Sequence, residues 1–283
     1  MKLHAFARLL ALALLVVPAG ALAGTPLELT FKGRVEPHQR TQVANQVTGM
    51  VSEVHFQPGQ RVNRGDLLFS LDSSGAQIDV DAAKASLAEA NARLALAEEI
   101  ADRQARLLSR GTGAEARATQ SALEADVARA VVARAESALA AAELALKRTR
   151  VIAPITGIAR PRVAPGAFVE AEGGTVLGEI VQTDPVLVAY QVPYADRQEA
   201  LKAAGTTSIK DLLAHIKIWL RLPSGKVYSS AGVPVFESAQ LDEKTGMLTT
   251  WGEFPNPNGE LIPGLVVTVR SEISPVASDG NQQ

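Results

Sequence analysis

The chain of 283 residues contains no cysteine. Disulfides and thiolate metal sites are therefore excluded, as is a lipid attached to a cysteine behind a leader. Histidine is scarce. Beyond the first few residues only His38, His55 and His215 occur, far apart and in different expected elements. No His-x-x-x-His pair or acidic cluster suggests a metal site. No His–Ser–acid grouping offers a nucleophile, and no Gly-rich phosphate loop follows a strand. The sequence thus gives no reason to expect an enzyme, a cofactor or a metal. Excess positive charge is missing as well: the formal net charge is −2, whereas a nucleic-acid binder is normally basic. Aromatic residues make up 4%, too few for one large aromatic-rich core. The longest apolar run of the first segment, Leu9 to Val17, is too short to span a bilayer. With Lys2 and Arg8 around its start and Ala21-Leu22-Ala23 behind it, it reads as a signal peptide over residues 1–23. The expected mature chain begins at Gly24 and is soluble, without a lipid anchor.

Residues 76–148 lack both proline and aromatics, and 25 of these 73 residues are alanine. Their only glycines, Gly111 and Gly113, stand at the middle. High helix propensity with one central break predicts two long helices joined by a short turn. Val80, Ala83, Leu87, Ala90, Leu94, Ala97, Ala101 and Leu108 follow a 3-4 spacing. So do Ala118, Ser121, Ala125, Ala128, Val132, Ala135, Leu139, Ala142 and Leu146. These are the seams of an antiparallel coiled coil. Its small residues allow a slim rod on the order of 50 Å long.

The rod interrupts a repeat. Thr48-Gly49 followed by Pro58-Gly59 returns as Thr156-Gly157 followed by Pro165-Gly166. Each copy reads as short strands around glycine turns, with Gly49, Gly59, Gly157 and Gly166 as turn residues. Gly173-Gly174 reads as a further turn. The two halves, residues 41–75 and 149–182, are expected to pack face to face as one small β-sandwich. No lysine lies in the Val47–Leu71 half, which argues against a swinging-arm carrier. Downstream, residues 186–192, 215–222, 227–235, 247–254 and 265–273 look like strands, and residues 194–204 like a short helix. Gly264 marks a turn before the last strand. Residues 27–35 can join them, so residues 24–40 and 183–273 are expected to form a small β-barrel. Residues 274–283 have the composition of a disordered tail. The expected fold class is mixed α and β, elongated and multi-module.

Several segments carry a family resemblance: Gln46-Val47-Thr48-Gly49, Pro58-Gly59-Gln60-Arg61-Val62, Ala153-Pro154-Ile155-Thr156-Gly157, Thr183-Asp184-Pro185-Val186, Asp242-Glu243-Lys244-Thr245-Gly246, Phe254-Pro255-Asn256-Pro257 and Leu261-Ile262-Pro263-Gly264. In this order and nesting the chain resembles the periplasmic adaptors, or membrane fusion proteins, of resistance-nodulation-division (RND) efflux pumps. The resemblance implies a lipoyl-like sandwich beside a β-barrel, in the periplasm. It implies partners as well: an inner-membrane RND transporter, an outer-membrane channel of the TolC type, and further adaptor copies side by side in a ring. The hairpin tip would meet the channel through Arg103, Leu107, Arg110 and Ala114. An adaptor of an ABC-type exporter or a type I secretion system is the alternative. The family often has serine where Ala114 stands, and usually arginine where Trp251 stands. The family's fourth, membrane-proximal domain has no counterpart segments here. The resemblance therefore further implies a second, full-length adaptor as a partner.

Overall fold

The computed structural model describes residues 27–274. The expected leader, its cleavage point at Gly24 and all but the first residue of the expected tail lie outside the described residues. The alanine-rich segment forms α1 (Ser74–Ser109) and α2 (Glu115–Arg148), packed antiparallel. Val80, Ala90, Ser121, Ala125 and Val132 are buried between them. The other expected seam residues are half-buried, with one exception. Leu108 is exposed, and Gln104 takes the last seam position on α1. The helix ends one residue after Leu108, so no side chain of α2 stands opposite it. Ser121 satisfies its hydroxyl within its own helix by donating to Ala118 O at 3.0 Å. Arg129 Nη2 reaches across to Glu98 Oε1 at 2.8 Å. Among the described residues no helix is long and apolar enough to cross a membrane.

The hairpin grows out of a β-sandwich. Its strands are β2 (Gly49–Val54), β3 (Arg61–Val62), β4 (Leu67–Leu71), β5 (Arg150–Ile152), β6 (Gly157–Pro161) and β7 (Phe168–Val169). The ends of two long strands, β1 (Leu27–Ala44) and β8 (Val176–Pro193), complete it. One sheet runs β5-β4-β2-β7, and β3 pairs with β6. The two sequence halves therefore interleave, strand against strand, where the repeat alone suggested two units stacked face to face. Strands of two or three residues cannot satisfy their backbone within one half. Val51, Leu68, Phe69, Leu71, Val151, Val169, Leu177 and Ile180 fill the core. Phe56 meets Phe69 edge to face at 5.4 Å.

The expected glycine turns divide in two. Gly59, Gly166 and Gly264 adopt φ of 84°, 87° and 97° and do turn the chain. Gly49 and Gly157 instead open strands β2 and β6. At Gly157 the demand is for closeness: a Cβ there would lie 2.5 Å from Val181 O.

The second module adds α3 (Tyr194–Ala204), α4 (Ile209–Ala214), β9 (Ile216–Arg221), β10 (Val233–Glu237), β11 (Met247–Phe254) and β12 (Val266–Ile273). The strand order is β10-β11-β8-β1-β12-β9. Ile218 and Gly232 exchange backbone hydrogen bonds at 3.1 and 2.8 Å, which joins β9 to the segment before β10 and closes a barrel. Phe31, Val188, Tyr190, Ile218, Phe254 and Val269 form its centre. Burial pushes the Tyr190 hydroxyl pKa far up. Of the strand expected over 227–235, the end from Val233 forms β10, which continues to Glu237, while Val227 and Gly232 make isolated bridges to Arg221 and Ile218 of β9. Helix α4, absent from the sequence reading, is capped by Ser208, whose Oγ accepts from Asp211 N at 3.3 Å.

Candidate functional site

Arg103, Leu107, Arg110 and Ala114 all lie at the free end of the hairpin. The turn there is built by two glycines with different duties. Arg110 caps α1, and Gly111 follows in the left-handed region at φ 72°. Gly111 N donates to Leu108 O at 2.9 Å and Thr112 N to Leu107 O at 3.1 Å, the paired bonds of a Schellman motif. Gly113 then lies against that last turn: a Cβ on it would sit 2.7 Å from Leu108 N. Ala114 is the N-cap of α2, extended at φ −90°, ψ 129°, and offers no side-chain acceptor to the helix. Serine at this position would supply that acceptor.

Leu107 is 38% exposed and outside the seam. Arg103 pairs with Glu99 one turn back on the solvent side. Both extend a line the sequence reading missed: Leu96, Ile100, Arg103 and Leu107 recur at 3-4 spacing on the outer face of α1. A matching line on α2 carries Ala116, Leu123 and Val127, the last 65% exposed. The signal was available as a second apolar spacing beside the seam. The distal hairpin thus presents two apolar stripes, with Arg103 within the first and Arg110 at the end of its helix. That arrangement suits docking to other helices.

At the opposite end, three of the separated sequence segments converge. The β1–β8 ladder is interrupted between Pro37 and Gln39, opposite Thr183-Asp184-Pro185. Asn256 is 2% exposed at this joint. Its Nδ2 donates to Thr183 O at 2.8 Å and to Leu261 O at 2.9 Å. Its Oδ1 accepts from Leu261 N at 3.0 Å, and its backbone N donates to Asp184 Oδ1 at 2.8 Å. Trp251 ties the same joint from the side. Its Nε1 donates to Glu36 Oε2 at 3.0 Å, and its ring stacks on Phe236 with centroids 4.6 Å apart. His38 Nε2 lies 3.3 Å from Glu253 Oε2. The Asp242 turn also explains itself: Oδ1 accepts from Lys244 N, Thr245 N and Thr245 Oγ1, and these bonds hold its pKa below the ordinary 3.8. His38, His55 and His215 stand in separate places, and no group of three metal-binding side chains occurs among the described residues.

Comparison with known proteins places these features. Residues 39–182 match the family described as RND MFP, barrel-sandwich hybrid domain, and residues 185–274 match RND MFPs, beta-barrel domain. The chain is similar to multidrug resistance protein MdtE of Escherichia coli K12, 32% identical over 237 residues, covering 83% of this chain and 62% of MdtE. It is also similar to multidrug efflux pump subunit AcrA of the same organism, 29% identical over 250 residues, covering 87% and 63%. The chain thus spans less than two thirds of the length of these curated relatives. Among solved structures, MacA from Actinobacillus actinomycetemcomitans aligns with a TM-score of 0.67 at 19% identity, covering 87% of this chain and 78% of that one. A MacA–MexA chimera carrying the Pseudomonas aeruginosa MexA α-hairpin aligns at 0.62 and 18%, covering 89% and 82%. At such identities the likeness is one of fold.

Proposed function

Because the chain belongs to the RND membrane fusion protein family, we propose that it is the periplasmic adaptor of a tripartite efflux pump for small toxic compounds. It bridges an inner-membrane RND transporter and an outer-membrane channel, and several copies stand around the pump axis. The observation that supports this best is the hairpin. A rod on the order of 50 Å ends in exposed apolar stripes with arginines, and β modules form its other end. Arg103, Leu107 and Arg110 grip the channel in this reading, while the barrel side faces the transporter. The protein acts by holding two partners in line rather than by chemistry.

The test is Arg103→Asp in a strain whose own adaptor gene is deleted. Charge reversal in the middle of the α1 stripe should abolish drug tolerance while protein abundance stays unchanged. Unchanged tolerance rejects the tip as the grip. Pull-down of the tagged chain names the transporter, and recovery of an ATP-binding-cassette exporter instead rejects the RND assignment.

A further inference from the structure

The root of the hairpin holds a cleft that the adaptor reading does not use. It is open, has a volume of about 580 Å³, and lies between the last turn of α2, β5 and the end of β1. That volume falls among those of sites for drug-sized molecules, about 300–1,000 Å³. Its charge is one-sided: Lys147, Arg148 and Arg150 line it, and no carboxylate does. All three are exposed, and none makes an ion pair among the described residues. Lys147 and Arg148 stand in the last turn of α2, where the helix dipole amounts to about half a negative charge. That end cannot offset three full positive charges. Beside the cations the cleft is apolar, with Leu144 and Ile152 both exposed. Asn45, in the wall, is 5% exposed. Its Nδ2 donates to Val47 O at 3.0 Å, but its Oδ1 has no partner. A buried orphan of this kind marks a wall that is incomplete as it stands.

The geometry points to a binding site for a small amphipathic organic anion. A carboxylate or sulfonate head sits on Lys147, Arg148 and Arg150, and an apolar body lies along Leu144 and Ile152. Guanidinium groups hold such heads through paired N–H···O bonds. A neutral apolar compound would leave the cations unused, and an inorganic anion would leave the apolar flank bare. Only a molecule with both parts engages the whole cleft. Occupancy has a mechanical consequence, because the walls come from separate parts of the chain. The ligand touches β1, which runs on into the barrel, and the end of α2, which carries the rod. It therefore braces the root of the hairpin against the long strand. The adaptor reading requires no ligand, so the two stand or fall separately.

Decanoate, a carboxylate on an apolar chain, is the probe. It is titrated into the full-length chain by calorimetry at neutral pH and low salt, below its micelle concentration, and should fill one saturable site. Decylammonium, the same body with a cationic head, and acetate, the head without the body, should each bind weaker by about tenfold or more. Arg148→Glu with Arg150→Glu should weaken decanoate by about tenfold or more at low salt, with helical circular dichroism and melting temperature unchanged. Leu144→Ser with Ile152→Ser should weaken decanoate and leave acetate as it was. Bound decanoate should slow amide exchange in the last turn of α2 and not at the hairpin tip. No saturable site, binding indifferent to the charge reversal, or equal binding of decylammonium overturns the inference. Phosphatidylglycerol vesicles test a bilayer as the source of the anion. Capture on vesicles that the reversal abolishes, without binding of free decanoate, also overturns it. If the unaltered chain restores drug tolerance but binds no decanoate, the site falls and the adaptor reading stands. Charge-sensitive binding by a chain that restores no tolerance upholds the site and rejects the pump.

Discussion

Replacing Asn256 by alanine should destabilise the barrel more than its single-residue size suggests. The side chain makes three hydrogen bonds in a place that is 2% exposed. Truncation leaves Thr183 O, Leu261 O and Leu261 N without partners. Each buried orphan costs about 1–3 kcal/mol. A water filling the vacated amide space can recover one or two of these bonds, so the expected loss is about 3–4 kcal/mol. In a unit of this size that corresponds to a fall in Tm on the order of 10 °C. Urea unfolding followed by tryptophan fluorescence measures it selectively. The chain has two tryptophans, Trp219 on β9 and Trp251 on β11, and both lie in the barrel. Helical circular dichroism of the hairpin serves as the internal control and should not shift in parallel. Asn256→Asp sharpens the case. A carboxylate would face two carbonyl oxygens, so the loss at neutral pH should be at least as large. It should shrink as the pH falls, because the protonated acid regains one donor. A loss below about 1 kcal/mol for Asn256→Ala refutes the reasoning that these bonds hold the joint, since one buried orphan alone costs that much.

Ala114→Ser should supply the missing N-cap of α2 and stabilise the tip by about 1 kcal/mol, seen as slower amide exchange in the first turn after residue 114. Ala97→Trp should force the helices apart at a half-buried seam position and cost about 1–3 kcal/mol; an unchanged hairpin melting temperature removes Ala97 from the seam. The Asp242 turn should hold above the ordinary carboxylate value of 3.8 and loosen only as the pH falls through its lower folded value. Amide exchange at Lys244 and Thr245 reads this, and Asp242→Asn should flatten the pH dependence.

The hairpin was legible because composition and period agree over more than seventy residues and nothing distant competes with them. Gly111 announced the helix end by its type and place. Leu108 misled for a local reason: the period runs on past the point where the opposite helix stops. The strands were harder. β1 and β8 each run 18 residues through both modules, while Pro37 and Pro185 read in sequence as strand ends. The interleaving of the sandwich halves depends on pairings across the whole hairpin, such as Ser70 with Arg150, and no local pattern encodes these. Asn256 stood in the sequence only as part of the segment Phe254-Pro255-Asn256-Pro257. Its partner Thr183 is 73 positions away, and only the closed barrel brings them together. Trp251, a bare departure from the family's pattern by sequence, gains its account from Glu36, 215 positions distant.

The placement of these ties bears on how a rod of this length stays aimed. Strand β4 leads through two residues into α1, and α2 leads through Thr149 into β5. Asp72 Oδ1 accepts from Ser74 N at 3.0 Å, and Thr149 Oγ1 donates to Leu146 O at 2.7 Å, so neither link is slack. Strands β1 and β8 continue the hydrogen-bonded path from the sandwich into the barrel. The described ladder between these two strands breaks at Pro37–Gln39 opposite Thr183-Asp184-Pro185, where the backbone alone cannot fix an angle. Asn256 binds Thr183 and Asp184 within that break, and Trp251 holds Glu36 at its barrel-side margin. A rotation of about 10° there moves a tip on the order of 50 Å away by about 9 Å, nearly the width of a helix. Side chains far from the tip, at the joint, therefore set where Arg103 and Leu107 arrive.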